Sequence, residues 1–379
     1  MSKVLVLTEY YLPGFNGGGV LRTLVNLVST LGQEFSFSIL CRNHDLGEKT
    51  AYQNIHVDEW NQHGNSKVFY VSSKKTLKQV LKSTSEGIWY INSVFSFFFS
   101  ILPLLLQKYI FRYPVKIIIA PKGELFPAAR NIKSLKKKFF IKIAKTINLY
   151  RNVLWHASTE EEAKVIREIM GQSVKIKIAL DLPANYAIQD LPLVNTEKNL
   201  NELNIVSVSR IAPIKNILMA LKIISELKGK ITFNLYGPID DQVYWEACQM
   251  QIKKLPNHVK VAYHGVIPND QVCAVISKYD VFLLPTLGES FGHVIFEALL
   301  AGCPVLISDQ TPWKNLLEKE VGADFPLTEP MKFQAYLSNL VNTSSEALKR
   351  IREKARAYAL EFMCNETVVN QNRALFQRN

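Results

Sequence analysis

Short runs of branched and aromatic apolar residues alternate with amphipathic stretches of helix length along almost the whole chain, and they do so in two series. A run of four to seven such residues is too short for a helix with its own packing face, but it suits a strand buried on both sides. Strands of this kind alternating with helices make a parallel sheet covered by helices. The first series opens with Val4–Leu7, then a loop containing Pro13, Gly14, Gly17, Gly18 and Gly19. A helix is predicted over 20–31, where Leu21, Leu24, Val25, Leu27 and Val28 make one apolar stripe, followed by a strand at 35–40. Further strands are predicted at 88–91, 117–120 and 154–157. Ser158 or Thr159 then caps a helix whose first three residues are glutamates, near its positive end.

A loop-like stretch at 181–201, with Pro183 and Pro192, separates this series from a second. There, strands at 204–208, 231–236, 259–264, 281–284 and 304–307 alternate with helices at 217–227, 244–254, 269–278 and 291–300. The 379 residues suffice for two domains. The expected fold class is therefore α/β, with two facing Rossmann-like domains, 1–190 and 200–360. Ligands of such sheets bind beyond the carboxyl ends of the strands, here in the interdomain cleft.

Residues 88–106 are apolar enough to raise the question of a membrane span. Asn92, Ser93 and Ser96 interrupt the run and Pro103 falls within it, so a buried strand and a buried helix are predicted instead. The first apolar run is too short for a signal-peptide core. The five cysteines, Cys41, Cys248, Cys273, Cys303 and Cys364, form neither CxxC pairs nor metal-ligand spacings. They read as thiols of a reducing cytoplasm, with Cys303 a small core residue.

The net charge of +12 is unevenly placed: between Gln107 and Lys177, 16 Lys and Arg stand against five Glu and no Asp. A basic patch serves nucleic acid, anionic lipid or a phosphorylated ligand. No nucleic-acid-binding motif accompanies this one, so no nucleic-acid partner is expected. Its densest part is a helix predicted over 131–150, carrying Lys133, Lys136, Lys137, Lys138, Lys142 and Lys145 with Phe139, Phe140, Ile143, Ile147 and Leu149 interleaved. Either it lies on an anionic membrane surface, or it is a solvated helix whose aromatic residues are core.

The segment Gly288–Pro304 carries the chemistry. Glu289 ends a loop after a strand, and Ser290, Phe291 and Gly292 are predicted to begin a helix whose free N–H groups and dipole form an anion site. Gly292 lets the backbone approach a diphosphate. Glu297 lies in an otherwise apolar helix and needs a partner, which a ribose diol supplies. The plainer alternative makes Glu289 a helix-dipole carboxylate and Glu297 part of an exposed face. Upstream, Arg210 and Lys215 lie five residues apart on a strand-to-helix loop. They either clamp a diphosphate and neutralise it as it leaves, or are solvated surface cations.

This segment resembles the E-x7-E signature of glycosyltransferase family 4, the large retaining GT-B group: Glu289 and Glu297 have its spacing. Residues 207–216 resemble the family's G-R-x(3–4)-K-G/N loop, whose cations bind the donor pyrophosphate, with Ser209 where glycine is usual. Gly237, between Tyr236 and Pro238, resembles the strand-end glycine near the base. His264, Gly265 and Val266 resemble the loop that meets the base through backbone atoms. Gly18 and Gly19 resemble the glycine loop facing the donor phosphates. Residues 120–125, then Pro127 to Arg130 and the lysine-rich helix, resemble the P-R-G-x-L element of a subset associated with surface-polysaccharide assembly, with Lys122 in place of arginine. Residues 155–160 resemble the subset's H-A-T-S-E element.

The resemblance implies a retaining transfer of sugar from a UDP- or GDP-sugar to a glycan or lipid-linked glycan of a bacterial surface polysaccharide. Glu289, Arg210 and Lys215 would be catalytic. Ser290, Phe291, Gly292, Glu297, Gly237, Val266, Gly18 and Gly19 would complete the donor site. The acceptor side would be the first domain, with Lys122, Glu124, Arg130 and His156 as candidates; His156 is structural or functional. The last helix, near 364–376, would cross back to that domain. Asp240 and Asp241 are adjacent and do not form a DxD motif, so no metal and no cofactor are expected. The location implied is cytoplasmic, on the inner face of the plasma membrane. Two alternatives are a GT-B nucleotide-sugar 2-epimerase and a non-catalytic partner subunit. The intact Glu289, Glu297, Arg210 and Lys215 argue against the second.

Overall fold

The apolar runs of the first series become strands β1 (Ser2–Leu7), β2 (Phe35–Arg42), β3 (Trp60–His63), β4 (Ser66–Val71), β5 (Ile88–Ile91), β6 (Lys116–Ile119), β7 (Val153–Ala157) and β8 (Lys175–Ile178). In this computed structural model, which describes residues 1–84, 87–126, 134–192 and 198–377, they form one sheet in the order β3-β4-β2-β1-β5-β6-β7-β8. All neighbours are parallel except β3 and β4. Val4 pairs with Phe37 on one side and Ile88 on the other. The chain thus winds outward from β1 to one edge, returns, and winds from β5 to the other edge. Val6, Leu7, Ile39, Trp89, Ile91 and Ile118 are fully buried, as strands covered on both faces must be.

The helices that cover this sheet include α1 (Gly18–Leu31), α2 (Lys74–Ser83), α3 (Leu102–Leu106), α4 (Ser134–Thr146) and α5 (Glu160–Met170). The long apolar run does split into strand and helix: Ser96 caps a helical segment over 97–111, its Oγ accepting from Phe99 N at 3.0 Å. Wider π turns flank α3 on both sides. No helix among the described residues is long and apolar enough to cross a membrane. Thr159, not Ser158, caps α5, accepting from Glu162 N at 3.1 Å. The hairpin β3–β4, helix α2 and strand β8 have no counterpart in the sequence reading. β3 is largely exposed and lacks alternation, β8 is the short basic run Lys175–Ile178, and α2 buries only Leu77, Val80 and Leu81.

The second series forms β9 (Glu202–Val208), β10 (Lys230–Tyr236), β11 (Val259–Tyr263), β12 (Val281–Leu284), β13 (Val305–Ser308) and β14 (Gly322–Phe325). They make an all-parallel sheet in the order β11-β10-β9-β12-β13-β14. Its helices are α6 (Ile217–Ser225), α7 (Gln242–Ile252), α8 (Val272–Ile276), α9 (His293–Leu300), α10 (Pro330–Val341) and α11 (Ser345–Met363). Phe233, Leu235, Val281 and Leu283 from the strands meet Ile217, Leu221 and Phe333 from the helices in one core. Each such side chain contributes about 1.5–3 kcal/mol on burial. Cys303 is fully buried here.

The two units are Met1–Asn185 with Asn365–Asn379, and Tyr186–Cys364. The last helix, α12 (Glu366–Phe376), is therefore part of the first unit. Phe376 packs against Phe35, Phe37 and Tyr90 at 5.5–5.7 Å between ring centres. Asn372 donates to Leu180 O at 2.8 Å, and Arg373 pairs with Glu34 at 2.6 Å.

Candidate active site

In the second unit the loops leaving the carboxyl ends of the strands are joined by backbone hydrogen bonds. Ser209 N donates to Tyr236 O (2.9 Å), Ile211 N to Pro238 O (2.8 Å) and Gly237 N to Gly265 O (2.8 Å). These bonds link the loops after β9, β10 and β11. Gly237 has φ +129°, and a Cβ there would stand 2.0 Å from Ser209 O, so no other residue allows this approach. On the other side, Leu287 N and Thr286 Oγ1 donate to Ile214 O at 2.7 and 3.0 Å, joining the loop after β12 to the loop after β9. Glu289 N donates to Gln310 O at 3.0 Å, adding the loop after β13.

This stitching places Lys215 against Glu289. Lys215 Nζ donates to Glu289 Oε1, and each side chain is only 14% exposed. Arg210 pairs instead with Asp240 at 2.7 Å, with both side chains nearly half exposed. Lys215 is thus a largely desolvated cation, whereas Arg210 is a solvated one.

Helix α9 begins at His293, later than the sequence reading has it, because Gly292 is its N-cap in the left-handed conformation (φ +79°). Ser290 and Phe291 belong to the preceding loop. The Phe291 side chain is buried against Trp313 (5.4 Å between ring centres), and its carbonyl accepts from Trp313 Nε1 at 2.6 Å. It anchors the loop, leaving the first N–H groups of α9, at the positive end of the helix dipole, next to Glu289 in the chain. Glu297 is buried, not on an exposed face, and its Oε1 accepts from Tyr186 Oη at 3.0 Å. Tyr186 lies 111 residues away in the chain, and no local pattern marks it. Val266 is exposed just after Gly265 (φ +75°). The His264 ring is used internally, stacked on Tyr236 at 4.6 Å and bonded to Asn234 at 2.7 Å.

In the first unit Gly18 opens α1 with φ +60°, followed by Gly19. The turn before them is held by buried Asp45, which accepts from Phe15 N (2.8 Å) and Asn16 N (3.0 Å). Nothing in the sequence marks Asp45, since an isolated aspartate in a loop follows no pattern.

The acceptor-side candidates are engaged within the protein. Lys122, in the left-handed conformation, pairs with Asp181, both side chains at most 3% exposed. Asp181 also accepts from Thr23 (3.0 Å) and Ser158 (3.2 Å). Burial works against the Lys122 charge, but Asp181 outweighs it and holds the pKa above the usual lysine range. Glu124 accepts from Ser93 Oγ (2.8 Å) and Val94 N (2.6 Å), tying down the loop after β5, and burial raises its pKa. His156 is bonded to Tyr90 Oη and Ala179 O, both at 2.8 Å. The carbonyl requires a proton on Nε2, so Nδ1 accepts from the tyrosine. Burial, then the Lys122 charge, push its pKa down to about 3, so the ring is neutral. Arg130 lies outside the described residues. Among the described residues no group of three or more His, Cys, Asp or Glu side chains is placed to hold a metal.

Residues 193–358 match the family model described as glycosyl transferases group 1. A 41.2-kDa protein of the Klebsiella pneumoniae cps region is 26% identical over 235 residues, 61% of this chain and 62% of that protein. The 2-deoxystreptamine glucosyltransferase of Streptomyces kanamyceticus is 33% identical over 101 residues, 26% of this chain and 25% of that protein. The chain thus spans less than two thirds of either relative. Over 99% of this chain and 98% of theirs, Anabaena HepE solved with UDP and glucose (16% identical, TM-score 0.67) and the sucrose-phosphate synthase of Thermosynechococcus elongatus (10%, 0.71) have the same fold. So, over the whole of both chains, does WaaG, a glycosyltransferase involved in lipopolysaccharide biosynthesis (12%, 0.63). The fold, two parallel-sheet α/β domains, is that of GT-B glycosyltransferases.

Proposed function

We propose that the chain is a retaining glycosyltransferase that moves a sugar from a nucleoside-diphosphate donor to a lipid-linked glycan of a bacterial surface polysaccharide. The observation that carries this reading is the largely buried Lys215–Glu289 pair, held beyond the strand ends beside the start of α9. A diphosphate lying there meets Lys215, Arg210 and the helix N–H groups, all of which stabilise the charge that develops on the leaving group. These protein cations do what a metal would otherwise do, and we infer that none is needed. Glu289 accepts hydrogen bonds from the transferred sugar and orients it. Glu297, braced by Tyr186, takes the ribose diol. Retention follows a front-face course in which the departing phosphate removes the acceptor proton.

UDP is the nucleotide to test first, since UDP and UDP-glucose are bound in solved structures of the same fold. The test is incubation with UDP-glucose and lipid-linked acceptors, reading UDP release and the anomeric configuration of the product by NMR. An inverted product overturns retention. A donor epimerised without any acceptor overturns the transferase reading.

The cps-region relative and WaaG support the polysaccharide role. α4 supports the membrane side: Leu135, Phe139 and Ile143, spaced one helical turn apart, are 82%, 66% and 42% exposed, while Ile141 and Ala144 face the core. Lys136, Lys138 and Lys142 flank that stripe. An exposed apolar stripe edged by cations suits the inner, anionic leaflet, each lysine contributing about 1 kcal/mol. Anionic liposomes should bind the protein at low salt and release it at high salt. Indifference to such vesicles overturns the membrane contact.

A further inference from the structure

Beyond the strand ends of the first unit one set of polar groups is satisfied internally: Lys122, Asp181 and Ser158 bond one another, and His156 is held by Tyr90 Oη and Ala179 O. The second set lies where the winding of the sheet reverses, between β1 and β5, the place at which open α/β sheets take ligands. Glu9 follows β1, Arg42 ends β2, and Asn92 follows β5. Glu9 accepts from both Arg42 Nε and Ser96 Oγ. The Arg42 and Glu9 side chains remain about a third exposed, at 32% and 28%. The guanidinium lies 5.3 Å from the ring centre of Phe98, which keeps its planar fork in one orientation.

Asn92 is the informative member. It is 4% exposed, and its backbone N–H is held by Leu7 O at 2.9 Å. Among the described residues neither its Nδ2 nor its Oδ1 has a hydrogen-bond partner. A buried amide left unsatisfied at both atoms destabilises the fold, so its presence calls for an explanation. An apolar side chain of the same size would pack there without that cost.

We propose that Glu9, Arg42 and Asn92 form the subsite that binds a sugar ring of the acceptor, an inference that rests on the glycosyltransferase reading. Sugar hydroxyls donate and accept at once, so vicinal hydroxyls suit an amide with one donor and one acceptor side, a carboxylate that accepts and a guanidinium that donates. The Phe98 ring beside them offers an apolar surface for the C–H face of the sugar.

The experiment compares the whole protein with Asn92→Leu and Arg42→Met. Methyl glycosides of glucose, galactose, mannose and N-acetylglucosamine are the probes, read by saturation-transfer NMR with UDP present. UDP affinity is measured in parallel by calorimetry. The parent should bind at least one glycoside, and both variants should bind it at least about tenfold more weakly. Asn92→Leu should melt no lower than the parent. The inference is overturned if the parent binds no glycoside, if Asn92→Leu binds it equally well, or if that variant melts several degrees lower, which would make the amide structural. Should Arg42→Met fail to fold, Asn92→Leu decides alone. A parent that does not bind UDP overturns the donor reading, whereas UDP binding with glycoside binding unmoved by the substitutions overturns only this one.

Discussion

Replacing Lys215 by methionine removes a cation that the structure places mostly out of water, and replacing Arg210 by methionine removes one that stays in it. A unit charge about 4 Å from a phosphate is worth roughly 4 kcal/mol at an effective dielectric of ~20 and roughly 1 kcal/mol in bulk water. Lys215, 14% exposed, lies toward the first limit, but it already holds Glu289 and must share its charge with the incoming anion. Its loss should cost about 2–3 kcal/mol of UDP binding, the upper part of the range for a hydrogen bond to a charged group and on the order of 30- to 150-fold in Kd. Arg210, 45% exposed and paired with Asp240, should cost about 1 kcal/mol, on the order of fivefold. Titration calorimetry with UDP and with uridine separates a phosphate contact from a general loss of the site: uridine binding should not change in either variant. Equal losses for the two residues, a larger loss for Arg210, or an equal loss for uridine would refute the reasoning.

Glu289→Gln should remove most turnover yet tighten free UDP severalfold, because Lys215 no longer shares its charge; kinetics and calorimetry on one preparation check both. Glu297→Ala should weaken UDP and erase its preference over 2′-deoxy-UDP, and Tyr186→Phe should reproduce about 1 kcal/mol of that loss, read as competitive inhibition constants. Gly237→Ala forces a Cβ into Ser209 O at a φ that disfavours alanine, so urea melts should show a loss of at least about 3 kcal/mol. His156 titrates near 3 when folded and near 6.5 when unfolded, so its contribution is complete above about pH 6.5. It falls by up to roughly 1.4 kcal/mol per unit as pH drops toward 3. A parent melting curve without that acid slope would contradict the burial of the ring.

What could be read ahead of the structure was whatever the chain repeats at short range. The strand at 88–91 and most of the second sheet were legible because buried parallel strands are continuous apolar runs. Glu289, Glu297, Arg210 and Lys215 were legible because each sits at a set spacing on a strand-to-helix loop or its helix. The start of α9 was misplaced because a glycine in sequence does not announce the sign of its φ, and at Gly292 that sign moves the first turn to His293. The engagement of Lys122 by Asp181, 59 residues on, was invisible, as was the Glu297–Tyr186 bond: pairing at that range is decided by topology. Asn92 was legible only as an interruption of an apolar run. Its missing partners are a property of the packing around it.

The return of α12 to the first sheet has a consequence for dissecting the chain. Residues 186–364 form a continuous unit whose core residues all lie within it. The other unit is discontinuous: Phe376 fills the space between Phe35, Phe37 and Tyr90, so residues 1–185 alone leave an apolar patch uncovered. Only the second unit can therefore be cut out as one uninterrupted piece of chain.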